Sequence, residues 1–562
     1  MDRRTFLKVI GAASAASGAT ALLAACNANP ATPSGTDAAV TPGGTLFIFT
    51  DNTTNLFDPA KSQGLAITSL ALVHRRLTSW KIEAGKPATV IPDLATDTGR
   101  ASEDGKTWTF TLKDNLQFSD GTPITSAEVK YGVERSFAPA FSGGLGYHKT
   151  LLAGASAYKG PFDGADLASI ETPDAKTIVF HLERPYGDWT WIASTPAFSP
   201  VPKGKGTEPD YGEHPVASGP YQVATYAKGV QVKLTRNPHW DKATDQARAG
   251  LPDNVVFQLG QQTSVTSQRL IADSGDDKFG FSASFAAPSQ IVQIQNNPTA
   301  KPRLVTSSSG ALAYLALNTK RGPLSDVKVR QAFQYAVDKA AFQIASAGSA
   351  ELAGSIATTL ITDGIAGREV FDLYPAPPGG DVAKAKQLLA EAGHPNGLDN
   401  LDFLVDTAND GTAKAEAIQA ALERVGIHST LRPLDDDAWT SAATGDEGAY
   451  DLTLSSWQPD FPSANGNIQP LFGTSEIGNG GYNISRYSNP EVDQLIVQAQ
   501  GTIDPVAAGK VWAQADRRIL QDSPVIPLIY TRNSFLHGSK VAQFVIGAFP
   551  SYPNYLQIGL TK

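Results

Sequence analysis

The stretch from residue 102 to residue 137, SEDGKTWTFTLKDNLQFSDGTPITSAEVKYGVERSF, constrains the local fold more tightly than any other part of the chain. Threonines alternate there with three large apolar residues, Trp108, Phe110 and Leu112. This is the period of a strand with one buried face, and Asp-Gly turn pairs stand on both sides of it. Thr125 and Glu128 then have the spacing of a capping box, which marks a helix start. The stretch therefore predicts a turn, a strand, a second turn and a capped helix.

Part of this stretch, DGKTWTFTLKDNLQFSDGTPITSAEVKY, resembles the signature region of the solute-binding proteins of peptide/nickel-type ABC importers, the extracellular solute-binding family 5. Further similar segments follow in family order, at Ser218-Gly219-Pro220-Tyr221, at LALNTKRGPLSDVKVRQAFQYAVDK (residues 315–339) and at NISRYSNPEV (residues 483–492). The resemblance extends from about Gly44 to about Leu528. It implies an α/β fold like that of the type II periplasmic binding proteins, with two large α/β lobes joined by a hinge and a smaller extra lobe.

The chain of 562 residues is too long for a single hydrophobic core, and two or three lobes are expected. Between Gly310 and Ser456 the pattern alternates strand and helix, which is typical of an α/β lobe. The resemblance places lobe I at 44–66, 213–304 and 521–562, the small lobe at 67–212, and lobe II at 305–520. It also implies that the strand near Pro524–Leu528 returns to lobe I.

The N-terminus carries two export signals. Asp2-Arg3-Arg4-Thr5-Phe6-Leu7-Lys8 is a twin-arginine pattern, and Leu23-Ala24-Ala25-Cys26 resembles a lipobox, whose cysteine receives a diacylglycerol. We therefore predict a signal peptide at 1–25, lipidation of Cys26 and a flexible tether at 26–43. A protein processed in this way is held by its lipid at the outer face of the cytoplasmic membrane.

Composition and spacing exclude several classes of function. A net charge of −9 disfavours nucleic acid, because nothing in such a chain neutralises phosphates. Cys26 is the only cysteine, so neither a disulfide framework nor a cysteine metal site is possible, and the eight histidines show no pair at ligand spacing. Gly99 and Gly105 are one residue too far apart for a phosphate loop, and Ser325 to Lys328 matches S-x-x-K only as a helix cap. No cofactor and no metal are expected.

Candidate ligand contacts follow the strand that ends near Ser455. The segment Ser455 to Pro462, SSWQPDFP, has the position of a loop that lines a crevice at the carboxyl end of a sheet. In peptide-binding relatives a similar segment supplies an aspartate for the peptide's α-ammonium group, and Asp460 matches that position. The alternative is that Asp460 caps a turn before Pro462. Ser463-Ala464 replace the family's second Asp-Pro, so the loop is expected to differ in shape.

Three further residues are candidates for the ligand site. Trp457 can stack on a ligand or fill the core beside the hinge. Tyr482 and Asn483 follow the glycine-rich Gly478–Gly481 and are placed in the cleft by loop chemistry alone.

The resemblance implies capture without catalysis. We expect a monomeric, lipid-anchored protein that binds a peptide between its lobes and delivers it to two permease subunits with two cytoplasmic ATPases. Another solute, such as an oligosaccharide, an opine or a metal-chelate, is the first alternative. An extracellular hydrolase, which needs a pair of carboxylates in the cleft, is the second.

Overall fold

A computed structural model describes residues 39–562, except Ser142 and Ser309. The predicted signal peptide, Cys26 and most of the predicted tether lie outside the described residues. The last part of that tether does not behave as one, because Val40 and Thr41 form a strand that pairs with Leu560 and Thr561. The fold therefore begins at Val40, and the C-terminal strand holds it there. Within residues 39–562, no helix has both the length and the apolar character needed to cross a membrane.

The strands are, in chain order, β1 Val40–Thr41, β2 Thr45–Phe49, β3 Thr78–Lys81, β4 Thr89–Pro92, β5 Arg100–Ala101, β6 Thr107–Thr111, β7 Ile170–Glu171, β8 Thr177–His181, β9 Tyr221–Ala227, β10 Gln231–Arg236, β11 Asn254–Gln258, β12 Gly280–Ser282, β13 Leu304–Thr306, β14 Leu312–Leu317, β15 Gly354–Ile356, β16 Leu398–Asp406, β17 Ile427–Leu434, β18 Leu452–Trp457, β19 Val525–Thr531, β20 Ser534–Leu536, β21 Val541–Ala542 and β22 Gly559–Thr561.

The α-helices are α1 Ser69–Val73, α2 Ser126–Arg135, α3 Tyr147–Leu151, α4 Trp189–Ile192, α5 Thr263–Ala272, α6 Pro288–Gln295, α7 Val327–Ala336, α8 Lys339–Ala347, α9 Ala350–Ala353, α10 Val382–Glu391, α11 Gly411–Glu423, α12 Asp436–Thr444, α13 Asn465–Phe472, α14 Pro490–Gly501 and α15 Pro505–Asp522.

Lobe I is built on a five-stranded sheet in the order β12-β2-β11-β10-β9. β2 runs parallel to both of its neighbours, whereas β9, β10 and β11 are antiparallel. The small lobe contains a four-stranded antiparallel sheet, β5-β6-β8-β7, and the pair β3-β4. The predicted strand is β6, with Trp108 and Phe110 buried, and the predicted capping box of Thr125 and Glu128 starts α2. Both predictions are confirmed.

Lobe II contains a six-stranded mixed sheet in the order β15-β19-β14-β18-β16-β17. Every residue of β14 is buried, as the apolar run at 311–318 predicts for a strand covered on both faces. The predicted helices that follow β14 are α7, α10 and α11, and the side chain of Asp326 caps α7 by accepting a hydrogen bond from the Lys328 N–H at 2.8 Å. An α/β lobe is confirmed here.

One assignment of the chain to the lobes was wrong. The strand near Pro524–Leu528 does not return to lobe I but forms β19, which lies between β14 and β15 inside the sheet of lobe II. Six of its seven residues are buried, which requires cover on both faces and fits an internal strand. The chain crosses back to lobe I only after Thr531, where β20 pairs with β13.

Two crossing segments therefore form the hinge between the large lobes, one joining β13 to β14 and the other joining β19 to β20. They are hydrogen-bonded to each other, by Ser307 N–H to Asn533 O at 2.9 Å and by Gly310 N–H to Thr531 O at 2.9 Å. Paired connections of this kind permit rotation of one lobe against the other while the crossing strands stay together.

Candidate functional site

The candidate site lies where β18 ends, beside the hinge. Trp457, the last residue of β18, is paired with Leu312, the first residue of β14, so it stands at the hinge end of the lobe II sheet. Residues 458–464, which we call the site loop, connect β18 to α13. From lobe I, Ser551 reaches this loop and its hydroxyl donates to Gln458 Oε1 at 3.4 Å. The site loop, which belongs to lobe II, therefore contacts lobe I.

Asp460 is half-buried in the site loop, and its Oδ2 accepts a hydrogen bond of 2.5 Å from the Tyr147 hydroxyl of the small lobe. Burial raises the pKa of Asp460 above its ordinary value, and the Tyr147 hydrogen bond opposes part of that rise. Burial and the adjoining Asp460 carboxylate raise the pKa of Tyr147, so its hydroxyl stays a neutral donor. An ionised carboxylate can accept about four hydrogen bonds, and Asp460 therefore retains capacity for a cationic donor.

Trp457 and Tyr482 form an aromatic pair next to the site loop. Their rings lie 5.0 Å apart at 53°, and the Trp457 Nε1–H donates to Gly466 O at 2.7 Å. Trp457 is half-buried, whereas 46% of the surface of Tyr482 is exposed. Trp457 therefore packs partly against the hydrophobic core. The exposed part of the Tyr482 ring is accessible to a ligand.

Asn483 does not belong to the site. Its side chain is 1% exposed, and its amide group is used completely within its own loop. Nδ2 donates to Gly473 O at 3.0 Å and Tyr487 O at 2.8 Å, while Oδ1 accepts from the Tyr487 N–H and the Ser485 hydroxyl, both at 3.1 Å. The prediction of a cleft-lining residue was wrong, because composition of a loop does not reveal which of two adjacent polar side chains turns inward.

The small lobe supplies contacts that the sequence analysis missed. Besides Tyr147, Asp188 accepts from the Ser463 hydroxyl at 2.7 Å, and the Tyr186 hydroxyl accepts from Asn465 Nδ2 at 2.6 Å. Burial raises the pKa of Asp188 to about 6, although the hydrogen bonds from Ser463 and Asn465 oppose the rise. The sequence carries no local signal for these contacts, because the partners are 275 to 313 residues apart.

The chemistry of this arrangement favours binding of a cation. The site loop offers one carboxylate with spare acceptor capacity, and the strand that leads into it ends in Trp457, which packs on Tyr482. Among residues 39–562 apart from the two that are not described, no group of three or more His, Cys, Asp or Glu side chains could hold a metal ion.

A two-lobed α/β fold with a paired hinge and a polar loop beside that hinge defines the class of the extracytoplasmic solute-binding proteins. The chain belongs to the bacterial extracellular solute-binding proteins, family 5, because the family model described as the middle part of these proteins matches residues 89–479. Its role is solute binding for an ABC importer and not catalysis, so the hydrolase alternative is set aside.

Similar proteins cover most of the chain. The glutathione-binding protein GsiB of Escherichia coli O1:K1 / APEC is 27% identical over 457 residues, which are 79% of this chain and 81% of GsiB. The solved structure of clavulanic acid biosynthesis oligopeptide binding protein 2 is similar with a TM-score of 0.87 and 31% sequence identity. The match covers 93% of this chain and 97% of the chain in that structure. The unliganded open form of the periplasmic murein tripeptide binding protein MppA has the same fold, with a TM-score of 0.75 at 22% identity. The match covers 93% of this chain and 99% of the MppA chain.

Proposed function

We propose that this protein captures peptides between its lobes and that Asp460 holds the peptide's α-ammonium group. The observation that carries the proposal is the half-buried Asp460 carboxylate, which faces a neutral Tyr147 hydroxyl and pairs with no described lysine, arginine or histidine. A buried ammonium needs such an acceptor, and truncating one partner of a buried charge pair costs about 2–5 kcal/mol. Tyr482 contributes exposed aromatic surface next to Trp457, the residue before the site loop.

Peptide is the solute class that the relatives' names favour. GsiB is named for glutathione, and the two solved structures for oligopeptides and for a murein tripeptide. A peptide also suits the chemistry, because an extended backbone can be matched by polar groups of the cleft whatever side chains it carries. Another solute, such as an opine, an oligosaccharide or a metal-chelate, is the second candidate, favoured by the contact of Ser463 with Asp188, which gives the site loop a local structure of its own.

The remaining features of the proposed role come from the sequence. The twin-arginine pattern and the lipobox-like Leu23 to Cys26 support export and a lipid anchor at the outer face of the cytoplasmic membrane. The cargo is then handed to two permease subunits served by two ATPases. In the proposed division of the chain, 67–212 is the small lobe, lobe II runs from 305 to Thr531, and the rest from Val40 onward is lobe I.

Native mass spectrometry of freshly purified protein tests the solute class. A ladder of co-purifying peptides is expected, and a single sugar, opine or chelate would establish the second candidate instead. The most abundant peptide is then synthesised with a free and with an acetylated N-terminus. Asp460→Asn should weaken the free-amine form at least tenfold and the acetylated form less than twofold, measured by calorimetry.

The matched control is Asp437→Asn, which removes the same charge from an exposed position of lobe II and should leave both affinities unchanged. Equal losses for the two peptides in Asp460→Asn would remove the ammonium assignment, while the peptide ladder would still support peptide binding.

A further inference from the structure

The small lobe and lobe II contact each other at several points that the hinge does not explain. Between their described residues, four hydrogen bonds join them: Tyr147 hydroxyl to Asp460, 2.5 Å; Ser463 hydroxyl to Asp188, 2.7 Å; Asn465 Nδ2 to the Tyr186 hydroxyl, 2.6 Å; and Gly187 N–H to Gln500 O, 2.7 Å. The first two reach the site loop itself. The interface is therefore continuous with the candidate site.

Packing around these hydrogen bonds is close. The ring of Tyr147 meets that of Phe461 edge to face, with centroids 5.3 Å apart. Gly187 lies so near the end of α14 that a Cβ there would stand 2.3 Å from Thr502 O. Such a fit between separate lobes indicates a specific docked arrangement and not a chance contact.

Among the described residues, the covalent and ionic connections of the small lobe run to lobe I only. The chain enters the small lobe after β2 and leaves it before β9, both of which are strands of the lobe I sheet. Asp93 of the small lobe also forms ion pairs with Arg75 at 2.8 Å and with Arg248 of lobe I at 2.9 Å, all of them buried. When lobe II rotates at the hinge, its contacts with the small lobe are therefore among those that must separate.

We propose that the small lobe is a latch for lobe II: Tyr147, Tyr186, Gly187 and Asp188 hold the site loop and the start of α13 when the cleft closes, and closure of the empty protein is opposed because it buries Asp188 and Asp460 with no cation between the lobes. The latch itself follows from the lobe contacts, and the part played by a cationic cargo rests on the proposed function.

The groups that face the two carboxylates are neutral. Tyr147, Ser463 and Asn465 donate to or adjoin them, and no described lysine, arginine or histidine pairs with either one. Besides the two carboxylates themselves, Arg184 acts electrostatically on Tyr186 and Glu476 acts on Tyr147. The latch thus contains two acceptors for a positive charge and supplies none.

The pH dependence of the latch follows with a definite sign. With the small lobe and lobe II in contact, burial raises the pKa of Asp188 to about 6 and raises the pKa of Asp460 as well. A group whose pKa is higher in one state favours that state when it is protonated. The cost of closing the empty protein is therefore full above about pH 6 and falls as the pH drops from there toward the ordinary pKa of an aspartate. Above about pH 6 a cationic solute can replace the proton.

Fluorescence energy transfer between the large lobes tests the latch without any ligand. Cys26→Ser removes the native cysteine, and dyes are attached through Val265→Cys on α5 and Lys386→Cys on α10, both exposed positions. At pH 7.5, Ser463→Ala and Tyr186→Phe should each lower the closed fraction at least threefold. Asp188→Asn should raise it at least threefold and remove most of the increase that the parent protein shows between pH 7.5 and pH 5.

Tyr221→Phe is the matched control, because the Tyr221 hydroxyl is buried and donates to Pro252 O at 2.8 Å entirely within lobe I. It should leave the closed fraction unchanged, and thermal unfolding identifies any variant that fails to fold. The latch is refuted if Ser463→Ala and Tyr186→Phe close like the control. Its charge dependence is refuted if Asp188→Asn closes less than the parent. Neither result bears on which solute co-purifies, so a failure of the latch remains distinct from a failure of the proposed function.

Discussion

Tyr482 and Asn483 are neighbours in sequence and have opposite environments. The ring of Tyr482 is 46% exposed and packs on Trp457, whereas Asn483 is 1% exposed and holds four partners within residues 473–487. A buried amide that joins loop carbonyls and an N–H group fixes the loop on which its neighbour is presented. The hydrogen bonds of Asn483 therefore stabilise this loop, and the loop in turn holds Tyr482 in position.

Substitution of these two residues should separate the two roles. Asn483→Ala leaves two carbonyls, an N–H and a hydroxyl without their partner, so the free energy of unfolding should fall by about 1–3 kcal/mol. Tyr482→Ala removes a half-exposed ring and should cost at most about 1 kcal/mol, while it weakens peptide binding severalfold. Denaturant unfolding and calorimetry measure the two effects. If Tyr482→Ala proved the more destabilising of the two, the roles would be reversed.

At the scale of elements, β19 shows that a local sequence pattern can predict a strand without predicting the sheet to which the strand belongs. The run VIPLIYT predicts a buried strand, but burial on both faces is satisfied by any internal position in either large sheet. Its partners, Leu312–Ala316 and Gly354–Ile356, are separated from it by 173 to 218 residues, and the sequence contains no local signal for that choice. The strand was predicted correctly and its lobe was not.

The same limit applies to the candidate site. Asp460 and Trp457 were proposed because a contiguous motif carries them, and they lie at the end of β18 and in the loop that connects β18 to α13. Tyr147 lies 313 residues from Asp460 and Asp188 lies 275 from Ser463, so neither could be paired with the site from the sequence. The position of a contiguous motif within one lobe was predictable from the sequence. Contacts between lobes depend on how the lobes pack against each other, and the sequence does not show this.

The position of β19 can be tested by truncating a core side chain. Ile526 is fully buried and pairs with Leu315 of β14, so Ile526→Ala should lower the free energy of unfolding by about 2–5 kcal/mol. Hydrogen exchange should show the loss of protection in β14 and β18 and not in β2 or β11. Val497→Ala, at a position 63% exposed on α14, should change stability by no more than about 0.5 kcal/mol. Loss of protection in β2 and β11 instead would place the strand with lobe I.

At the scale of the whole molecule, a buried ionic network joins the small lobe to lobe I. Asp93 binds Arg75 within the small lobe and Arg248 of lobe I, and Asp245 of lobe I binds Arg248 in turn at 3.1 Å. All four side chains are at most 2% exposed. Buried charges that are paired on several sides resist separation, because opening the contact leaves each of them desolvated and uncompensated. The small lobe and lobe I should therefore move as one body against lobe II.

Asp93→Ala tests this division of the molecule. The change leaves the Arg75 and Arg248 guanidinium groups short of a buried partner, so the free energy of unfolding should fall by about 3–5 kcal/mol, and limited proteolysis should cut near the borders of residues 67–212. Asp97→Ala is the matched control in the same lobe. Asp97 pairs with Arg100, whose side chain is 77% exposed, and such a pair contributes at most about 1 kcal/mol. If Asp93→Ala were as mild as the control and the small lobe kept its protease resistance, packing and not the ionic network would hold the small lobe to lobe I.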